Sequence, residues 1–402
     1  MVEPSPFTYV CGYMNRYRNT IKFLTEAGCE VLVVTPGKGV SMPGADYSAA
    51  RDQPKEFHGA KVVEAFSVGL PWYWALPLSF ALSPRIYKEV KAFQPDVIHC
   101  SSPGVMWLAA LIYSRLLKKP LVYSYHTHVP EYMPRYNMTL FIKAMWSIIR
   151  FFHNAAHLTL VTSTIMREEL ARFGAAALQA IEVWKKGVCS DTFHPRYRSQ
   201  AMRERLSGGH PEAPILLSEI QERIPNARLA FVGDGPARQE LQDYFRSTNT
   251  VFMGMLHGEE LSAAYASADV FVMPSESETL GFVVLESMAA GVPVVAVRAG
   301  GIPDILQRDG QTGFLYEPGD VEGATRLVQR LINDKALRQQ VGEAGREEVS
   351  LWDWRAATHY LLHYQYPKAM AAAAAYYSRK RVQPAAEPQA PQGGMAVSPS
   401  PA

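Results

Sequence analysis

Cysteine is scarce in this sequence and never paired. Four are spread over 402 residues, as Cys11, Cys29, Cys100 and Cys189. Without a C-x-x-C pair they build neither a zinc site nor a disulfide framework, and they fit a reducing compartment. Net charge is scarce too. Forty basic against 38 acidic residues leave a formal +2, too weak a field to hold a nucleic-acid backbone. No nucleic-acid partner is expected. No uninterrupted apolar run is long enough to span a bilayer, and no signal peptide is visible. What remains is ordinary for a chain with large cores, 48% hydrophobic and 19% charged. The length predicts two or three domains.

The most informative stretch is 274–293. An apolar strand over 270–273 leads in and a second, over 294–297, leads out. Between them lie a turn rich in Ser and Glu and a helix that starts near Thr279, Leu280 and Gly281. That is a strand–loop–helix–strand unit of a parallel sheet, whose loop opens at the carboxyl end where such sheets bind ligands. Glu278 and Glu286 stand eight positions apart, about two helical turns, on nearly one face. Unpaired amides at the helix start suit a phosphate. Glu278 suits sugar hydroxyls, and Glu286 a ribose diol. The pattern suggests recognition of a nucleotide sugar. The bland alternative makes Glu278 a helix cap and Glu286 a solvated side chain.

From the start, the chain predicts a loop through Gly12, a helix to about Ala27 and a strand over 31–34. Gly12 lies where a backbone can approach a diphosphate. Residues 1–4 read as the end of a strand, so a transit peptide and most of a first strand are expected to be missing. A surface loop is predicted over 36–57, a short strand over 61–63, and an aromatic loop at Trp72, Tyr73 and Trp74. His126 follows the strand 121–124 at the mouth of the first half, beside His128. Zinc binding by the pair is not expected, because it would need further Cys or carboxylate partners nearby. Residues 139–152 are apolar with Lys143, Ser147 and Arg150 on one helical face. They suit either docking on their own domain or the membrane interface, with Trp146 and the cations at headgroup level.

The pattern Pro-Ser-x-x-Glu-Thr-x-Gly-x-x-x-x-Glu-x-Met-Ala-x-Gly-x-Pro-Val-Val resembles the donor signature of retaining glycosyltransferases of family four. The resemblance runs from 2 to about 366. Within the family it is strongest to the sulfolipid-forming members of plants and cyanobacteria. It is carried there by Glu3-Pro4-Ser5-Pro6-Phe7, Ser83-Pro84-Arg85-Ile86, Tyr125-His126-Thr127-His128-Val129-Pro130, Pro134-Arg135-Tyr136 and 272–285. It implies an α/β chain of GT-B architecture, two Rossmann-like domains facing across a cleft. The expected boundaries are 1–195 for the acceptor domain, 196–350 for the nucleotide-sugar domain, 351–370 for a helix crossing back and 371–402 for a low-complexity tail. It implies transfer of sulfoquinovose from UDP-sulfoquinovose to diacylglycerol with retained configuration, without metal or cofactor, at the chloroplast envelope or a cyanobacterial membrane.

The site residues carried over are His126 and Glu278 for catalysis. Gly12, Lys186, Gly254, Leu256, Glu278, Thr279, Leu280, Gly281 and Glu286 are expected to bind the donor, with Arg135 and Lys186 as sulfonate candidates. One departure stands out. After Pro214-Ile215-Leu216 the family has a strand and a Gly-Arg-…-Glu-Lys-Asn-like loop whose Arg and Lys neutralise the diphosphate. Here the chain passes to Leu217-Ser218-Glu219-Ile220, which reads as the helix after that loop. The second sheet is therefore expected to lack its first strand, the site to lack two cations, and the activity of this chain to suffer.

Overall fold

The computed structural model describes residues 1–7, 12–37, 53–70, 73–218, 227–235 and 237–382. The first half runs α1 (Gly12–Glu26), β1 (Leu32–Pro36), β2 (Glu56–Phe57), β3 (Ala60–Leu70), β4 (Tyr73–Phe80), α2 (Pro84–Phe93) and β5 (Ile98–Ser102). It continues through α3 (Met106–Leu117), β6 (Leu121–Tyr125), α4 (Val129–Tyr132), α5 (Ile142–Ala155), β7 (Leu158–Val161), α6 (Thr164–Arg172) and β8 (Ile181–Val183). β6 and β7 are buried along their whole length, as parallel strands covered on both faces are. Strands β5-β6-β7-β8 pair in that order, all parallel, while β1 pairs parallel with β3. Residues 1–3 lie between the two sheets. Val2 N–H donates to Val34 O at 2.9 Å and Ser101 N–H to Met1 O at 3.0 Å, which joins them into one layer.

Helix starts follow side-chain chemistry. Ser83 accepts the Ile86 N–H to cap α2, and Ser163 accepts the Met166 N–H to cap α6, each worth about 1 kcal/mol. Glu3 serves α3 from a distance: its buried carboxylate accepts the N–H of Met106 at 3.0 Å and of Ser79 at 2.9 Å. Burial pushes this carboxyl up to about 7 despite the backbone bonds that oppose it. The folded state therefore favours the protonated acid. Its contribution to stability is complete below pH 4.5 and is lost as pH rises through about 7, a swing of about 3 kcal/mol. Urea unfolding at pH 5 and pH 8 is expected to show that loss, and Glu3→Gln to remove this share of it.

Two expectations for this half change. The short strand at 61–63 is only the beginning of the eleven-residue β3. The aromatic loop at Tyr73 and Trp74 is instead β4, antiparallel to β3; Trp72 lies outside the described residues. β4 is an edge strand, the position in a sheet that tolerates a proline such as Pro77.

The second half runs α7 (Gln200–Ser207), β9 (Ile215–Ser218), β10 (Arg228–Phe231), α8 (Arg238–Tyr244), β11 (Thr250–Phe252), α9 (Gly258–Ser267) and β12 (Val270–Met273). It ends with α10 (Phe282–Ala289), β13 (Val294–Val297), β14 (Phe314–Tyr316), α11 (Val321–Asn333) and α12 (Lys335–Ser350). Its sheet is ordered β11-β10-β9-β12-β13-β14 and parallel throughout. The expected loss of the first strand is overturned. β9 occupies the centre, paired with both β10 and β12, and takes in the Leu217 and Ser218 that the sequence assigned to a helix. Three consecutive apolar residues suit a strand covered on both faces. Residues 219–227 alone join β9 to its parallel neighbour β10, a connection that ordinarily takes a dozen or more with its helix.

The chain then returns to the first half through α13 (Trp354–Tyr360), a π-turn (Leu361–Gln365) and α14 (Tyr366–Val382). Tyr366 Oη bonds His99 Nδ1 at 2.9 Å, Gln365 donates to Val183 O at 3.0 Å, and Tyr377 Oη donates to Ser114 O at 3.0 Å. The low-complexity tail set at 371 is corrected here, since helix continues to Val382. The alanine run 371–375 has the highest helix propensity available. Residues 383–402 lie outside the described part. Among the described residues no helix is long and apolar enough to cross a membrane.

Candidate functional site

Four strand ends meet at the seam between the halves. β6 delivers His126 and β8 delivers Trp184, Lys185 and Lys186. β12 leads into the 274–281 turn and β13 into 298–304. Among the described residues three bonds cross directly. Thr279 Oγ1 donates to His126 O at 3.4 Å, Lys186 Nζ to Gly301 O at 2.9 Å, and the Thr164 N–H to Asp304 Oδ2 at 2.6 Å. Lys186 is buried. Burial lowers its ammonium to about 8, Asp304 works against the shift, Arg16 adds to it, and Glu278 opposes it.

Glu278 is placed differently from the expectation. It precedes the helix instead of lying on it: Gly281 is the N-cap of α10, at φ 68°. The shared helical face with Glu286 therefore does not exist. Glu278 Oε1 accepts the N–H of Leu280 at 2.7 Å and of Gly281 at 2.8 Å. These are the amides expected to hold a phosphate, and here its own carboxylate holds them. A negative oxygen at that spot is what the unpaired amides and the helix dipole favour. Rotation of Glu278 would release both donors to a ligand oxygen.

Gly300 and Gly301 let the two loops touch. The Gly301 N–H donates to Glu278 O at 2.7 Å. A Cβ on Gly300, at φ +55°, would collide with that same oxygen. The 278–281 turn is thus braced from behind by backbone.

Glu286, within α10, is hydrogen-bonded to Tyr265 of α9. Burial raises its carboxyl to about 7, and the Tyr265 bond opposes the rise. Leu256 shares the buried cluster with Tyr265 and Val284, so only its backbone is available to a ligand. Gly254, at φ +70°, accepts the Gly233 N–H at 2.9 Å.

His126 is buried, with Nε2 at 3.1 Å from Tyr17 Oη and its ring against Trp184. Burial holds its pKa well below 6.5, with Arg16 and His99 adding to the shift. It is a neutral imidazole, not a charged acid. His128 is committed elsewhere, to Glu169 at 3.2 Å and Tyr125 at 3.1 Å. Gly12 opens α1. The side chain of Arg135 lies outside the described residues. Trp146 does not face outward: it is 7% exposed and stacks on Phe173 at 4.0 Å. Four residues at the seam were missed in sequence: Arg16, Tyr17, Trp184 and Asp304. Of these, only Trp184 and Arg16 carried any signal, Trp184 as the neighbour of the two lysines and Arg16 as one helical turn past Gly12.

Residues 14–191 match the family described as Glycosyltransferase Family 4, and residues 212–334 that described as Glycosyl transferases group 1. The chain is 50% identical over 385 residues to Sulfoquinovosyl transferase SQD2 of Arabidopsis thaliana, covering 92% of this chain and 73% of that protein. It is 30% identical over 381 residues to a GDP-mannose-dependent alpha-mannosyltransferase of Corynebacterium glutamicum, covering 90% and 87%. Among solved structures it resembles sucrose-phosphate synthase from Thermosynechococcus elongatus, with TM-score 0.69, 20% identity and coverage of 92% and 98%. Anabaena HepE in complex with UDP-glucose gives TM-score 0.65, 18% identity and coverage of 92% and 98%. The architecture common to them is GT-B, two Rossmann-like halves facing each other.

Proposed function

Because the chain belongs to glycosyltransferase family 4 and is a glycosyltransferase, we propose that it moves sulfoquinovose from UDP-sulfoquinovose to diacylglycerol. The observation that carries this is the seam itself, where buried Lys186, His126 and the 278–281 turn converge from both halves. The 50% identity to a protein named for sulfoquinovosyl transfer selects the sugar. The acceptor hydroxyl attacks C1 of the sugar on the face that the diphosphate leaves. The C1–O bond to UDP breaks as the new bond forms, and the acceptor proton passes to the departing phosphate oxygen. Configuration is retained, and catalysis rests on positioning and charge stabilisation.

Glu278, turned off the amides, accepts from the sugar hydroxyls. The Thr279, Leu280 and Gly281 amides, with Gly12, take the diphosphate or sugar oxygens. Glu286 takes the ribose, and the backbone at Gly254 and Leu256 the base. His126, as a neutral imidazole, holds the transferred sugar. Lys186 and Arg135 are the sulfonate candidates. No metal is assigned a part, so turnover is expected to survive EDTA. The mannosyltransferase likeness supports a second donor, GDP-mannose. A panel of UDP-sulfoquinovose, UDP-glucose and GDP-mannose decides: preference for the first by at least about tenfold supports the proposal, and preference for either other overturns it.

The lipid acceptor implies a membrane surface, and α5 with the segment before it suits one. Phe141, Ala144, Ile148 and Phe151 are exposed at helical spacing, and Leu140 beside them is 93% exposed. Lys143, Ser147 and Arg150 run alongside; Arg150 bonds Ser147 Oγ at 3.1 Å. An apolar stripe flanked by cations fits an anionic bilayer interface, such as the chloroplast envelope or a cyanobacterial membrane. Phe141→Asp with Phe151→Asp is expected to weaken co-sedimentation with vesicles containing anionic lipid by more than about tenfold. UDP affinity stays unchanged. Undiminished sedimentation would remove this face from the membrane, and fractionation of the source cells tests the location.

A further inference from the structure

Arg16 is fully buried, at 0% exposure. It rises from α1 into the seam, its guanidinium 4.6 Å from the centre of the Trp184 ring and 5.9 Å from that of Phe282. Phe282 is the first residue of α10, directly past the Gly281 amide. Among the described residues only one guanidinium nitrogen finds a hydrogen-bond acceptor: Nη2 reaches Trp184 O at 3.4 Å and Lys185 O at 3.5 Å. Nε and Nη1 have no hydrogen-bond partner among the described residues. No carboxylate pairs with it among those residues either. Its charged neighbour is another cation, Lys186, whose Nζ meets a carbonyl.

A buried guanidinium with idle donors is costly unless something completes it. A fold gains nothing from such a group that a methionine would not supply. The missing partner must be anionic, small enough for the seam and rich in acceptors. Burial lowers the Arg16 pKa to about 9, still charged at neutral pH.

We propose that Arg16 binds the sulfonate of the transferred sugar and so sets the preference for a sulfonated donor, a role that rests on the donor proposed above. Phosphate is the other tetrahedral oxyanion of such a donor. The diphosphate already has the α10 amides and Gly12, whereas a group beyond the sugar ring must look to the first half. Arginine suits the sulfonate better than lysine because its several fixed donors meet several oxygens at once.

The test is calorimetric titration of the full chain with UDP, UDP-glucose and UDP-sulfoquinovose. Arg16→Met is expected to weaken UDP-sulfoquinovose by about 100-fold, as two charge-assisted bonds would, and to leave UDP and UDP-glucose within about threefold. The ligand-free melting temperature should hold or rise, since an uncompensated charge leaves the interior. Equal weakening of all three ligands assigns Arg16 to the diphosphate and overturns the proposal. A fallen melting temperature with unchanged donor preference makes Arg16 structural and overturns it too. If wild-type chain binds UDP-sulfoquinovose no better than UDP-glucose, the donor itself is wrong and both proposals fall. Should Arg16→Met not fold, Arg16→Lys keeps the charge. About tenfold loss of preference for the sulfonated donor is then expected, and full preference overturns the assignment.

Discussion

Glu278→Gln is expected to lower kcat/KM about 10³-fold while leaving the melting temperature unchanged. The carboxylate does two things at one place. It caps the Leu280 and Gly281 amides, and it is proposed to accept from sugar hydroxyls once rotated. The glutamine oxygen still accepts both N–H groups, so the cap survives. What goes is charge assistance to two hydroxyl bonds, about 2 kcal/mol each. Glu278→Ala loses cap and chemistry together and should also lose about 1 kcal/mol of stability. Steady-state kinetics on both variants, beside calorimetric melting, separates the two roles. Normal turnover by Glu278→Gln would take this residue out of the site. His126→Ala is expected to lose transfer as well, since its neutral ring is held in place by Tyr17 and Trp184.

Lengthening the β9–β10 connection should do the opposite. Inserting after Ser218 the corresponding loop and half-helix of the Arabidopsis relative is expected to raise kcat/KM by about 10³-fold. The departing diphosphate needs positive charge, and the family supplies an Arg and a Lys from that loop. In this chain 219–227 are the only residues between two parallel neighbours. The remaining help is Lys186, weakened by burial to about 8, and two amides that Glu278 must first vacate. Two further cations at about 2 kcal/mol each account for the gain. Transfer rates and UDP affinity measured on both chains would show it. An inserted chain no faster than the original would mean that this connection does not limit the chemistry.

The parallel framework was legible because buried strands such as 270–273 and 294–297 announce themselves as apolar runs next to a Pro. The β4 strand was not, since Pro77 and clustered aromatics read as loop while edge position excuses both. β9 was misread for a different reason. Leu217 and Ser218 have no local preference strong enough to decide, and sheet pairing on both sides settles them. The turn 274–281 was found from its residues, but its internal wiring was not. No periodicity reveals that Glu278 folds back on its own amides, or that Gly300 and Gly301 answer to a neighbouring backbone. Arg16 was overlooked because a sequence gives a charge but not its burial. Trp146 erred in the opposite sense: an aromatic beside cations suggests an interface, yet Phe173, 27 positions on, covers it.

The chain passes between its halves twice, at 184–188 and at 351–354, and the passages are fastened side by side. The Val188 N–H donates to Trp352 O at 3.0 Å, and a Cβ on Gly187 would stand 2.6 Å from the Trp354 ring. Two pins set together make a door, not a ball joint: they permit swing about one line and resist twist. A swing of the halves about that line would bring Thr279 back to the same carbonyl.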